Sequence, residues 1–320
     1  MSKSSQISVG IIGECMIELK GEAFGQLSQS WGGDTYNTAL YLRRLMPAEA
    51  ADIAYITGLG QDPMSAHLMS TWAEQGLDTQ FIRQLPDRMP GLYQISLDDH
   101  GERTFVYWRG QAAAKYIFDD KDVTQVANAL SGFDWVYLTG ISLAILTEKG
   151  RAVLLDALSL YVEQGGKIAF DNNYRPKLWS SPEAARAAYR QVLAMTQLAL
   201  VTEDDDQALW GFVTTEQLLS HYQVPELVIK RGGAQAWVRC LNAGKSTLAQ
   251  CDAQRVEKVV DTTAAGDSFA AGYLAARLTG QAPAASLAAG HCLAARVIQY
   301  PGAIIPIEAM PATERKPDKG

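Results

Sequence analysis

Residues 259–269 read Val259-Val260-Asp261-Thr262-Thr263-Ala264-Ala265-Gly266-Asp267-Ser268-Phe269, and the small-residue run from Ala270 to Leu278 follows them. The pattern predicts a strand that ends at the valines, a tight loop of tiny side chains, and then a helix over 270–278. Small side chains let a ligand approach the backbone closely. The first-turn N–H groups of such a helix have no intrahelical partner, and with the positive end of the dipole they form a site for an anion. Asp267 falls beside that site. A carboxylate there can act as general base for a hydroxyl attacking phosphorus, or it can simply cap the helix.

Working outward, short apolar runs alternate with helical patterns. Ser8-Val9-Gly10-Ile11-Ile12-Gly13 suits a buried strand, and Thr35 to Leu45 has helical spacing stopped by Pro47. The alternation continues with Ile53 to Thr57, a helix from about His67 to Gln75, and Trp135 to Leu138. Helices at 148–164 and 182–195 and apolar runs at 167–170, 198–201 and 226–229 complete it. Strands separated by helices of this length imply an α/β fold, a central and mainly parallel sheet with helices on both faces. One stretch has a different period. Residues 91–97 and 104–109 alternate around Asp98-Asp99-His100-Gly101, which predicts a β-hairpin. With strands between about Glu14 and Gln29 it is expected to form a small sheet covering one edge of the main domain. The expected organisation is one domain over 1–310, with lid strands inserted at about 14–34 and 90–112, and a flexible C-terminal tail at 311–320.

The 320 residues carry 28 Lys+Arg against 35 Asp+Glu, a net charge of −7, and 48% are hydrophobic. That sign argues against nucleic acid, whose binding is driven by neutralising phosphates, and the apolar content argues against a disordered chain. Cys15, Cys240, Cys251 and Cys292 are scattered, giving neither a disulfide framework nor a zinc pattern. No uninterrupted apolar run approaches the roughly 20 residues that cross a bilayer, and the N-terminus lacks signal-peptide features. A cytoplasmic protein that binds no membrane is expected. Two other patterns are set aside. Ala243-Gly244-Lys245-Ser246-Thr247 imitates the end of a P-loop, but Arg239 stands where that motif needs Gly, so a hairpin turn is expected. His67, His100, His221 and His291 are too dispersed for a metal site or a catalytic triad.

Asp261-Thr262-Thr263-Ala264-Ala265-Gly266-Asp267 resembles the C-terminal signature of the PfkB (ribokinase-like) carbohydrate kinases, Asp-Thr-x-Gly-Ala-Gly-Asp. Ala264 replaces the first Gly and is expected to keep φ negative. Trp31-Gly32-Gly33-Asp34-Thr35-Tyr36-Asn37-Thr38-Ala39 is similar to the family's Gly-Gly…Asn-x-Ala sugar-binding turn, and Gly58-Leu59-Gly60-Gln61-Asp62 to its Gly-x-Gly-x-Asp. The resemblance spans residues 8–310 and implies the ribokinase-like fold with ATP and Mg²⁺. Activation by a monovalent cation stays open. The segments 13–18, 90–93, 101–109 and 171–176 resemble the branch of this family that phosphorylates 2-dehydro-3-deoxy-D-gluconate (KDG), which implies transfer of the γ-phosphoryl of ATP to the terminal hydroxyl of a six-carbon keto acid.

On this resemblance Asp267 is the base, and Ala264, Ala265 and Gly266 supply N–H groups to the phosphoryl oxygens. Gly32, Gly33, Asn37, Tyr93, Tyr107, Arg109 and Arg175 bind the sugar acid. Arginine grips carboxylates bidentately. Tyr107 and Arg109, two apart on one strand, share a face with Tyr93 opposite. Asn173, Arg175, Lys230, Gly232, Gly233, Ala264 and Gly266 are expected at the nucleotide. Val201-Thr202-Glu203-Asp204-Asp205 stands in place of the family's Asn-x-x-Glu, with Asp205 as the expected metal-linked residue, acting through water. Ala288 to Ala295 is rich in small residues, which fits the side of an adenine ring as well as helix packing. A fructokinase or ribokinase type of the same family, or a non-catalytic sugar sensor, remains an alternative. A homo-oligomer through the lid sheet is expected.

Overall fold

The computed structural model describes residues 6–22, 24–97, 103–212, 214–242 and 244–311. The turn expected at Asp98-Asp99-His100-Gly101 and residues 312–320 of the expected tail lie outside them. In chain order the first strands and helices are β1 (Ile7–Ile12), β2 (Met16–Gly21), β3 (Leu27–Gly32), α1 (Asp34–Leu45), β4 (Ala51–Ile56), β5 (Gly58–Leu59), α2 (Pro63–Glu74) and β6 (Arg83–Gln84). The lid hairpin β7 (Leu92–Leu97) and β8 (Arg103–Trp108) precedes α3 (Val123–Leu130), β9 (Trp135–Thr139), α4 (Gly140–Ile145), α5 (Glu148–Glu163) and β10 (Lys167–Asp171). Then come α6 (Pro182–Met195), β11 (Leu198–Thr202), α7 (Glu203–Trp210), α8 (Thr215–His221), β12 (Glu226–Lys230), β13 (Ala236–Asn242), β14 (Lys245–Cys251), α9 (Ala265–Leu278) and α10 (Pro283–Val297).

The main sheet has the order β14-β13-β12-β11-β10-β9-β1-β4. Neighbours from β4 across to β12 run parallel, and β13 and β14 add an antiparallel edge. The parallel strands read as continuous apolar runs because both their faces are covered. Ile11 and Tyr137 pack with α1, α2, α9 and α10 on one face, whereas Ile12, Val136 and Leu138 pack with α3, α5 and α6 on the other. The expected α/β architecture is present. The carboxyl ends of β9, β10, β11 and β12 place Thr139, Asp171, Thr202 and Lys230 along one rim, the rim where open α/β sheets bind ligands.

The lid is a separate sheet in the order β3-β2-β7-β8. Its β2 and β7 pair in parallel, with Ile17 opposite Leu92, and the hairpin sets Tyr93 opposite Tyr107. Asn242 opposite Lys245 closes the β13–β14 hairpin, and Lys245, Ser246 and Thr247 of the P-loop imitation run in β14; Ala243 lies outside the described residues. Asp62 of the Gly-x-Gly-x-Asp motif caps α2, accepting from Met64 N and Ser65 N at 3.0 and 3.1 Å. One expectation needs correction. No strand precedes Asp261: Val260 N and Asp261 N both donate to Ile298 O, at 2.8 and 3.2 Å. The segment is held by these tertiary bonds rather than by a neighbouring strand, so its β-branched residues do not express their strand preference. The helix that follows begins at Ala265, ahead of the expected start at Ala270.

Candidate active site

The floor of the site is the start of α9. Ala264, its N-cap residue, has φ 61° and ψ 15° and is therefore left-handed, against the expectation of a negative φ. The loop must reverse sharply between Asp261 and the helix. Asp261 fixes the first half by accepting from Thr263 N at 3.0 Å, Thr263 Oγ1 at 2.6 Å and Gly302 N at 3.0 Å, and position 264 absorbs the turn. A side chain in this region costs roughly 1–2 kcal/mol. Ala264→Gly is thus expected to raise stability by about 1 kcal/mol, read as a higher midpoint in denaturant unfolding with unchanged slope. Ala265 N donates to Thr262 O at 3.2 Å and Ser268 N to Ala264 O at 2.9 Å. The N–H groups of Gly266 and Asp267, in the first helical turn, are then the donors at the cleft floor.

Asp267 is the third residue of α9. Asn37 Nδ2 on α1 donates to its Oδ2 at 2.8 Å, which joins the Gly-Gly…Asn turn to the C-terminal signature. Burial pushes the Asp267 carboxyl up to about 7, with the negative charges of Asp34 and Asp171 adding to the rise; the Asn37 bond and the Lys230 charge act against it. Lys230 Nζ, at the end of β12, bonds Asp171 Oδ2 at 2.5 Å. The same ammonium lies 3.8 Å from where a Cβ on Gly266 would be, placing a cation beside the helix N-terminus. Asn173, itself at φ 22°, donates through Nδ2 to Asp34 Oδ2 at 2.7 Å, and Thr139 Oγ1 donates to the same atom at 2.6 Å. Asp34 was not singled out from sequence. An acidic residue opening a helix suits the dipole alone, and only its distant partners Thr139 and Asn173 bring it into the site.

Asp34, Asp171 and Asn173 line a cavity of about 430 Å³ together with Arg175, Asp205, Lys230 and Thr262 to Asp267. Arg175 Nη1 pairs with Asp205 Oδ1 at 3.0 Å. Burial raises the Asp205 carboxyl, and Arg175 and Lys230 pull against that rise. Among the described residues no cluster of three His, Cys, Asp or Glu side chains is arranged to hold a metal ion. Asp205, the expected metal-linked residue, lines the cavity wall beside Asp204; a magnesium ion there would be held chiefly by phosphate oxygens and water. Gly232, at φ +57°, and Gly233 follow β12 with open space around both.

Of the residues expected at the sugar, Tyr93 and Tyr107 lie on the lid sheet. The Tyr93 and Tyr107 rings stack at 5.8 Å between centroids, and the Tyr93 hydroxyl sits 3.3 Å from where a Cβ on Gly32 would be. That hydroxyl donates to Glu18 Oε2 at 2.5 Å, a partner not anticipated from sequence. Arg109 lies just beyond the end of β8, not within the strand as the alternation suggested. Its Nη2 forms an ion pair with Glu14 Oε2. Arg175 lines the cavity with Asp205, Lys230 and residues 262–267. Both arginines are already engaged by carboxylates, which keeps them ordered before any ligand arrives.

Comparison with known proteins agrees with this arrangement. The chain is 46% identical over 310 residues to a 2-dehydro-3-deoxygluconokinase of Dickeya dadantii, covering 95% of this chain and 99% of that protein. It is 44% identical over 307 residues to the protein of the same name in Escherichia coli K12, with 95% and 99% covered. A fructokinase from Vibrio cholerae O395, crystallised with fructose, ADP and calcium, superposes with a TM-score of 0.78 at 22% identity, over 95% of this chain and 96% of that one. Residues 6–310 match the description "pfkB family carbohydrate kinase". With the signature motifs, the lid and the sheet all in place along that span, this chain belongs to the pfkB family of carbohydrate kinases.

Proposed function

We propose that the protein transfers the γ-phosphoryl group of ATP to the terminal hydroxyl of KDG, giving 6-phospho-KDG and ADP. The observation that carries the reading is the Asn37–Asp267 contact, which ties the half-buried carboxylate in the first turn of α9 to the sugar-binding turn, beside an anion-binding N-terminus. The names of the relatives at 42–46% identity support the choice of sugar acid. Asp267 takes the proton of the attacking hydroxyl, and its raised affinity for that proton matches it to work near neutral pH. The N–H groups of Gly266 and Asp267 and the Lys230 ammonium stabilise charge on the transferring phosphoryl oxygens, whereas the expected donor Ala265 N is taken up by Thr262 O. Gly232 and Gly233 leave room for the nucleotide, and Asn173 bonds Asp34, whose negative charge adds to the raised proton affinity of Asp267. Magnesium, when bound with the nucleotide, neutralises phosphate charge. Tyr93, Tyr107 and Arg109 face the sugar acid from the lid, and lid closure excludes water.

The unit carrying this activity spans residues 1–310, with the lid as its inserted part. The exposed edge strand β8, where Phe105, Val106, Tyr107 and Trp108 are 44–56% accessible, supports assembly of two copies through their lids. Four unpaired cysteines and a net charge of −7 suit a reducing cytoplasm and a protein that does not engage nucleic acid; no helix among the described residues is long and apolar enough to cross a membrane. The expected product of incubation with ATP, magnesium and KDG is one phosphate monoester at the terminal carbon, identified by phosphorus and carbon NMR. A phosphate on another carbon, or hydrolysis of ATP without sugar phosphate, would remove the assignment.

A further inference from the structure

Four stretches of described backbone connect the lid to the main sheet, and all four meet at one residue, Glu14. Residues 13–15 carry β1 into β2, Gly33 carries β3 into α1, Gly91 leads into β7, and Arg109 leaves β8. Glu14 sits in the first of these. A Cβ on Gly33 would overlap the Glu14 carbonyl oxygen, and a Cβ on Gly91 would lie 2.7 Å from Glu14 Oε1 and 3.3 Å from the Cβ of Arg109. The Glu14 carboxylate, 3% exposed, is ion-paired with Arg109, whose side chain is 15% exposed. Burial raises the Glu14 carboxyl, Arg109 pulls against that rise, and the negative charge of Asp34 on α1 adds to it. A buried glutamate at this junction, paired across 95 residues of chain, is costly unless its partner stays in place.

We propose that Glu14 is a positioning residue: at the pivot of the lid it holds one edge of the Arg109 guanidinium, so that the remaining donors are presented to the carboxylate of the sugar acid. This rests on the reading that the substrate is an acid met by Arg109. A guanidinium has five donors in a rigid fork, and Glu14 occupies the Nη2 corner, leaving donors free for a second carboxylate. The arginine is thereby fixed before substrate arrives, so less side-chain entropy is lost on binding. Glu14 touches no reacting atom; it acts through Arg109.

Steady-state kinetics on Glu14→Ala, Arg109→Gln, the double variant and Glu14→Gln test this. Expected for Glu14→Ala is a KM for KDG raised at least about tenfold, with the KM for ATP within about twofold of wild type. Glu14→Gln, which keeps one hydrogen bond to Arg109, falls between. In the Arg109→Gln background, removing Glu14 adds no further increase, because coupled partners are not additive. The double variant also regains thermal stability lost in Glu14→Ala, since no buried charge is left unpaired. Additive effects, or parallel rises in the KM of KDG and ATP, would overturn the proposal. Failure of the underlying reading looks different: wild type would not phosphorylate KDG, or Arg109→Gln alone would leave its KM unchanged.

Discussion

Asp267→Asn is expected to keep KDG bound with a near-normal dissociation constant and to lose about 10²-fold or more in kcat, the scale of general-base contributions. The amide preserves the side chain's shape and its contact with Asn37 but cannot accept the proton. The wild-type enzyme has its own signature. Because burial and the neighbouring carboxylates raise Asp267 to about 7, kcat/KM falls as pH drops through that value, and the variant's residual activity lacks this acid limb. Stability moves the other way. A carboxyl raised above its unfolded value of 3.8 holds its proton more tightly in the folded state, so its favourable contribution is complete below about pH 4 and disappears as pH rises through about 7. Asp267→Asn removes that loss. Its Tm at pH 8 is expected to exceed wild type by about 2–4 °C, with the difference shrinking toward pH 4. Near-normal turnover, or a Tm gain that persists unchanged at pH 4, would deny Asp267 the role of an ionised base.

Lys230→Met has the second large effect. Lys230 and Asp171 are 7% and 3% exposed, and truncating one member of such a pair leaves an uncompensated buried charge, costing about 3–5 kcal/mol. The lysine also stands beside Gly266 and pulls the Asp267 carboxyl down. The variant should therefore unfold at lower denaturant, lose about 10²-fold or more in kcat as an anion-stabilising donor is removed, and shift its acid limb to higher pH. The double variant Lys230→Met with Asp171→Asn separates the effects. It is expected to recover most of the stability and none of the catalysis. If activity returned with stability, Lys230 would be a structural ion-pair partner and no more.

The fold was legible because each level of the sequence agreed with the next. Strands such as Lys167–Asp171 are buried on both faces, helices such as α5 and α6 open on the caps Thr147 and Ser181, and the lid hairpin announces itself by its two-residue period. The motifs along the rim were legible too, since short loops after parallel strands converge wherever the sheet places them. What stayed hidden depends on pairs far apart in the chain. Glu14 and Arg109 meet across the lid junction, and Asp34 meets Thr139 and Asn173 across the sheet; no local pattern encodes either. Ala264 was misjudged for a related reason. Its left-handed conformation is imposed by where Asp261 is tied to Gly302 and where α9 must start, whereas alanine's own preference points the other way.

The most direct test is a coupled ADP-release assay with KDG, gluconate and fructose side by side, at saturating ATP and magnesium. A kinase whose lid presents an arginine to a sugar acid predicts kcat/KM for KDG at least about 10²-fold above either alternative. A preference for fructose, or equal rates for all three, would contradict it.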